Sequence, residues 1–169
     1  MELPQRKNNR LPHFDYSTPG AYFITICTEG RIPRLGHIVG GGALDAPGVR
    51  LSEYGEVVQK YIVSGNRIPG ITVDKFVIMP NHIHLIIFVN QTDKMETQSP
   101  ANALIPHFVS TLKRFCHREL GESFFQRSYH DHVIRNEASY LKIWQYIDNN
   151  PVLWQEDCFF VSGSEFIET

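Results

Sequence analysis

The sequence predicts an α+β fold of the split β-α-β type, ferredoxin-like and RRM-like. It has a central antiparallel sheet, helices packed on one face, and one further helix near the C-terminal end. Runs that alternate β-branched and aromatic residues mark strands, and apolar residues recurring at i, i+3 and i+4 mark helices. These segments follow one another as strand, helix, strand, strand, helix, strand, helix, an order that an antiparallel sheet covered by helices satisfies.

Residues 1–20 are polar, with Arg6, Lys7 and Arg10 ahead of Pro12 and Pro19, and read as an N-terminal arm. Ala21 to Thr28 (AYFITICT) reads as the first strand. Gly40, Gly41 and Gly42, then Pro47 and Gly48, make 29–50 a flexible connection or a small hairpin. Leu51, Tyr54, Val57, Val58, Tyr61 and Ile62 fall at helical spacing, with Glu53 and Glu56 where the helix dipole favours acids. Ile71 to Met79 and His82 to Val89 are two apolar runs joined by Pro80-Asn81, a hairpin of central strands. After a polar stretch over 90–102, Leu104, Phe108, Val109, Leu112, Phe115 and Cys116 make a second amphipathic helix. Residues 129–135 read as the last strand, 138–149 as the third helix, and 155–169 as a C-terminal tail of one domain spanning 1–169.

Composition excludes several classes. The 169 residues are 42% hydrophobic, enough for a core. With 16 Lys+Arg against 18 Asp+Glu, the net charge is -2, which excludes a grossly basic nucleic-acid binder but not a local basic face. Leu85 to Val89, the longest apolar run, is far short of the roughly 18–20 residues a bilayer helix needs. No apolar segment follows the start, so a cytoplasmic location is expected. Cys27, Cys116 and Cys158 are odd in number and lack a CxxC pair, and read as packing thiols.

His82 and His84 flank Ile83 inside the apolar run, so both imidazoles share one strand face about 6–7 Å apart along the strand, within reach of one metal ion. Such pairs also arise by chance as satisfied histidines. A histidine-triad hydrolase would need a third His where this chain has Ile86, and a cupin would need an all-β chain.

On the third helix the core stripe is Tyr140, Ile143, Trp144 and Ile147; Tyr146 lies roughly 110° from its middle, with Asn150 one turn on. Asn149-Asn150-Pro151 is also an ordinary helix stop. The combination is more informative than either part. Mg²⁺ or Mn²⁺ on two histidines calls for a hard oxygen ligand, which Asn150 offers at a helix C-terminus. The same turn delivers the Tyr146 hydroxyl, and a metal beside a tyrosine is a means of cutting a phosphodiester. A phenol pKa of about 10 makes the phenolate roughly 4 kcal/mol uphill at neutral pH, so a cation must offset that or a base must take the proton.

The stretches FVIMPNHIHLIIF (76–88), FQRSYHDHVIRNE (125–137), YIDNNPVLW (146–154) and RKNNRLPHFDYSTPGAYFITICT (6–28) resemble the single-tyrosine HUH transposases of the IS200/IS605 type, closest to their REP-associated tyrosine transposase branch. The resemblance implies a single HUH transposase domain with His82 and His84 as the HUH pair, Asn150 as third metal ligand and Tyr146 as nucleophile. It also implies cleavage and rejoining of single-stranded DNA through a 5′-phosphotyrosine, recognition of palindromic hairpins, often a homodimer, and a bacterial, nucleoid-associated setting. Phe125 stands where a Trp is common, and the glycine-rich 40–48 insert departs from the family pattern.

Tyr129 with His130 and His132 forms a rival cluster on spacing alone; His132 is expected to line the site or the DNA path. Arg6, Lys7 and Arg10, then Lys113, Arg114 and Arg118, then Arg127 and Arg135 form a phosphate-binding surface if they converge, and otherwise a solvated charged face. Two other functions compete with the transposase-like one. A non-catalytic single-stranded nucleic-acid binding module would show a sheet face rich in Phe and Tyr. A metallo-hydrolase using water would need an acid near the metal, and no Asp or Glu lies beside the HIH run.

Overall fold

The computed structural model describes residues 18–41, 46–90 and 103–161. Four strands form one antiparallel sheet in the order β4-β5-β1-β6: β1 is Gly20–Cys27, β4 Ile71–Met79, β5 His82–Val89 and β6 His130–Ile134. The helices are α1 (Glu53–Ser64), α2 (Leu104–Leu120) and α3 (Glu137–Asn149), and the 29–50 region holds a two-stranded hairpin of β2 (Gly36–Val39) and β3 (Gly48–Leu51). The α+β class and the element order are those expected, with the small hairpin as the resolved alternative for 29–50.

Each face of the sheet has its own core. Ile83, Leu85 and Ile87 of β5, with Tyr22, Ile24 and Ile26 of β1, pack against Val58 and Ile62 of α1 and Ile105, Phe108 and Leu112 of α2. The alternate residues Ile86 of β5 and Ala21 of β1 meet Ile147 of α3 on the other face. His82 and His84 carry the same strand parity as Ile86 and therefore face α3. Because β5 is interior and covered on both faces, the two histidines are fully buried.

Local chemistry sets the helix ends. Ser52 caps α1 by accepting from the Gly55 N–H (3.2 Å), and Asn136 caps α3 by accepting from the Ser139 N–H (2.8 Å). Gly121, at φ 77°, closes α2 in the left-handed region. A register shift in β4 between Val73 and Lys75 puts Lys75 opposite Ile86, on the face that α3 covers. Asp74 accepts from the Tyr140 hydroxyl (2.7 Å), and Lys75 pairs with Asp148 (2.6 Å) while lying 3.7 Å from the Trp144 ring centroid. Trp144 is therefore a half-exposed cover for Lys75 and not the core residue expected from its spacing. Cys27 and Cys116 are buried packing thiols, whereas Cys158 is exposed, a departure from the expected role.

The N-terminal turn of α1 lies directly against the 35–36 backbone. A Cβ on Gly55 would sit 2.0 Å from the Leu35 carbonyl oxygen, which accepts from the Ser52 N–H. Gly55→Ala is expected to destabilise the fold by about 2 kcal/mol despite alanine's better helix propensity. That loss corresponds to a melting temperature lower by about 4–8 °C for a chain of this size, read by circular dichroism. An unchanged or higher melting temperature would contradict this packing.

Candidate active site

The turn between β4 and β5 fixes the first histidine. Both hydrogens of the Asn81 amide are committed, to the carbonyls of Arg31 (3.1 Å) and Phe159 (2.8 Å), so its Oδ1 must face the other way. There it accepts from His82 Nδ1–H at 2.9 Å, which leaves the His82 Nε2 lone pair aimed away from the turn. His84 Nδ1 is hydrogen-bonded to the Thr25 hydroxyl at 2.8 Å, Thr25 being its register partner on β1. The two rings lie 4.5 Å apart between centroids.

The helix α3 and the segment after it supply the remaining groups. The Tyr146 hydroxyl lies 3.3 Å from His84 Nε2 and donates to Asp157 Oδ2 at 3.2 Å. Asn150, buried at the C-terminal end of α3, donates its Nδ2–H to the same Asp157 oxygen at 2.8 Å. The Asp157 carboxylate is held by the Phe159 N–H on its other oxygen (2.7 Å). A cleft of about 300 Å³, lined by Tyr146, Asn150, Leu153, Glu156, Asp157 and Cys158, opens beside them. The Phe159 ring lies 4.6 Å from that of His82, with the Arg31 guanidinium 5.1 Å from its centroid.

Two buried atoms here lack any hydrogen-bond partner: His82 Nε2 and Asn150 Oδ1. Each orphaned acceptor costs about 1–3 kcal/mol unless something fills it. Ligand atoms of His82, His84 and Asp157 all lie within 4.8 Å of one another, the one such cluster among the described residues. A divalent cation would satisfy both orphans at once, so the residues present fit a metal. Two neutral nitrogens with amide and carboxylate oxygens suit Mg²⁺, Mn²⁺ or other divalent ions. Burial lowers His82 to about 4 and His84 well below its ordinary range, so both are neutral and ready to ligate. Burial, then the Asp157 charge, holds the Tyr146 phenol well above its usual value.

No family model matches the chain. An uncharacterized protein of Haemophilus influenzae (strain Rd) is 34% identical over 177 residues, covering 94% of this chain and 95% of that one. The two proteins belong to one family. Among solved structures, a REP-associated tyrosine transposase bound to a REP hairpin superposes with a TM-score of 0.58 at 19% identity, over 90% of this chain and 73% of that one. The chain has the fold of a REP-associated tyrosine transposase. A candidate transposase from Deinococcus radiodurans R1 overlaps less closely, at 18% identity and a TM-score of 0.42 over 86% of this chain and 97% of that one.

Within this transposase fold, His82, His84, Tyr146 and Asn150 come together as their spacing anticipates. The basic residues among the described ones do not form one surface. Lys113 turns its ammonium onto the carbonyls of Gln126 (2.7 Å), Arg127 (3.3 Å) and Ser128 (3.3 Å), bracing the loop before β6. Arg114 and Arg118 are exposed on α2, across the sheet from the histidines, whereas His132 is exposed on β6 with Arg127 and Arg135 exposed near its ends. Arg6, Lys7 and Arg10 lie outside the described residues.

Sequence reasoning missed two groups of the candidate site. Asn81 passed as a turn residue, although its place directly before His82 was the available signal. Asp157 corrects the expectation that no acid stands near the histidine pair: it is distant in sequence, in the stretch read as a tail, and nothing local marks it.

Neutral buried histidines carry a pH signature. Their folded pKa values lie below the unfolded value of about 6.5, so the unfolded chain binds more protons between pH 6.5 and 4. The histidine contribution should be constant above pH 6.5 and fall by on the order of 3 kcal/mol for His82 as pH drops to 4, with His84 adding in the same direction. Urea unfolding in EDTA at several pH values checks this. His82→Gln should make the decline shallower, and a profile flat to pH 4 would contradict it.

Proposed function

We propose that the chain cleaves and rejoins single-stranded DNA at hairpin-bearing sequences, using Tyr146 as the nucleophile. The observation that carries this reading is the Tyr146 hydroxyl, 3.3 Å from His84 Nε2 and beside two buried acceptors that await a cation. The Tyr146 oxygen forms a bond to phosphorus, the bond from phosphorus to the 3′-oxygen breaks, and a 5′-phosphotyrosine and a free 3′-OH result. Asp157, already accepting from the phenol, takes its proton, and the departing 3′-oxygen gains one from solvent. A divalent ion held by His82, His84, Asn150 and Asp157 would polarise the phosphate. Attack of another strand's 3′-OH on the phosphotyrosine reverses the step and joins the strands. Tyr146 meets the histidines of its own chain, so one subunit holds a complete set and the homodimer is not required for chemistry.

The Asp157 carboxylate supports a second reading, in which it activates water and the chain is a metallo-hydrolase. The non-catalytic binding module draws no support from a buried histidine pair on the central strand.

Incubation of labelled hairpin-bearing single-stranded DNA with the protein and Mn²⁺ or Mg²⁺ separates these readings. A denaturation-resistant adduct is expected, and Tyr146→Phe should abolish it while DNA binding persists. Cleavage with a free 5′-phosphate and no adduct would establish the hydrolase instead. His82→Ala should reduce metal-dependent cleavage at least 100-fold; unchanged activity would remove the metal centre.

A further inference from the structure

We infer that Phe23 and His132, register neighbours across β1 and β6 on the sheet face that carries His84, form the platform on which a base of the single strand stacks beside Tyr146. This inference rests on the strand-cleavage reading and adds to it the surface that holds the substrate.

On this face α3 lies over β4 and β5, anchored by Asp74, Lys75 and Ile86. The segment 154–159 closes the His82 end, where Trp154 and Phe159 stand against the imidazole. On the β1–β6 side of this face Ala21, Thr25 and Ile134 are buried, whereas Phe23 is partly exposed and His130 and His132 are exposed. Phe23 pairs in register with His132, and Thr25 with His130, so all four share that face.

Phe23 is placed to hand a strand to the site. Its ring stacks on His84 at 5.1 Å and 29° and meets Tyr146 edge-on at 6.2 Å and 84°. It remains partly exposed, on a sheet whose other β1 residues are almost all buried. His132 across from it is exposed and offers a second flat ring. A phosphate brought to the Tyr146 hydroxyl leaves its neighbouring nucleotide over these two rings. Arg127 and Arg135, exposed near the two ends of β6, match the charge of a backbone running along that strand. Asp131 has the opposite strand parity, so β6 presents no acid on this face.

The test uses the full chain carrying Tyr146→Phe, so that covalent capture cannot mask binding, with fluorescein-labelled dT15 read by anisotropy. Phe23→Leu keeps the packing against Ile86 but removes the ring, and should weaken dT15 binding about tenfold, while Phe23→Trp restores it. His132→Ala should weaken it about threefold. Mn²⁺ affinity, measured on the same variants, should stay within twofold of the parent. A Phe23→Leu protein that binds dT15 within twofold of the parent would overturn the inference. So would an equal loss of dT15 and Mn²⁺ affinity, which would make Phe23 a support for His84 alone. Absence of the Tyr146 adduct in the unmodified chain would overturn the cleavage reading and leave the dT15 comparison intact.

Discussion

The Asn81 side chain sets the direction in which the buried His82 imidazole presents its free nitrogen. Its two donors are committed to backbone carbonyls from separate parts of the chain, Arg31 and Phe159, so its oxygen has one orientation available. That oxygen holds His82 as the Nδ1–H tautomer and aims Nε2 into the cleft. The same turn is itself tied down, since Thr28 donates its N–H and its hydroxyl to the Asn81 carbonyl. Without this chain of bonds, a neutral imidazole in a tight hairpin could settle in either tautomer, and the His82 Nε2 lone pair would not face His84 and Asn150.

The arrangement is costly to the fold and informative for that reason. A central strand covered on both faces is where an isoleucine would stabilise most, and this chain places two histidines there. Burial keeps them neutral, and His82 Nε2 and Asn150 Oδ1 remain unsatisfied. Two unsatisfied acceptors side by side, with the second nitrogen of each imidazole held by a hydrogen bond, are what preorganisation of a binding centre looks like. The phenol follows the same logic. Burial, then the Asp157 charge, raises the cost of ionising the Tyr146 phenol, which stays protonated.

Much of this was legible in the sequence because the period-2 and period-3.6 patterns are strong. The two apolar runs around Pro80-Asn81 run over the very residues of β4 and β5, and the parity of His82 and His84 followed from that strand. The i, i+4 spacing of Tyr146 and Asn150 likewise placed both on one side of α3. What stayed hidden depends on long-range return of the chain. Asp157 is brought beside the histidines by the turn after Pro151 and by the Phe159 contact with Asn81, neither of which leaves a local periodic signal. Trp144 had helical spacing for the core, but the β4 register shift placed Lys75 beneath it. Sequence clustering likewise does not reveal that Arg114 and Arg118 lie on α2, across the sheet from the histidines.

In the proposed centre, two imidazoles of one strand and oxygens from the C-terminal region meet on a single cation beside Tyr146. Electron spin echo envelope modulation of bound Mn²⁺ tests this most directly, since it reports nitrogen atoms coordinated to the ion. Two imidazole nitrogen couplings are expected in the native chain and one in His84→Ala. A bound Mn²⁺ ion with no nitrogen coupling, or a spectrum indifferent to both histidines, would contradict the account.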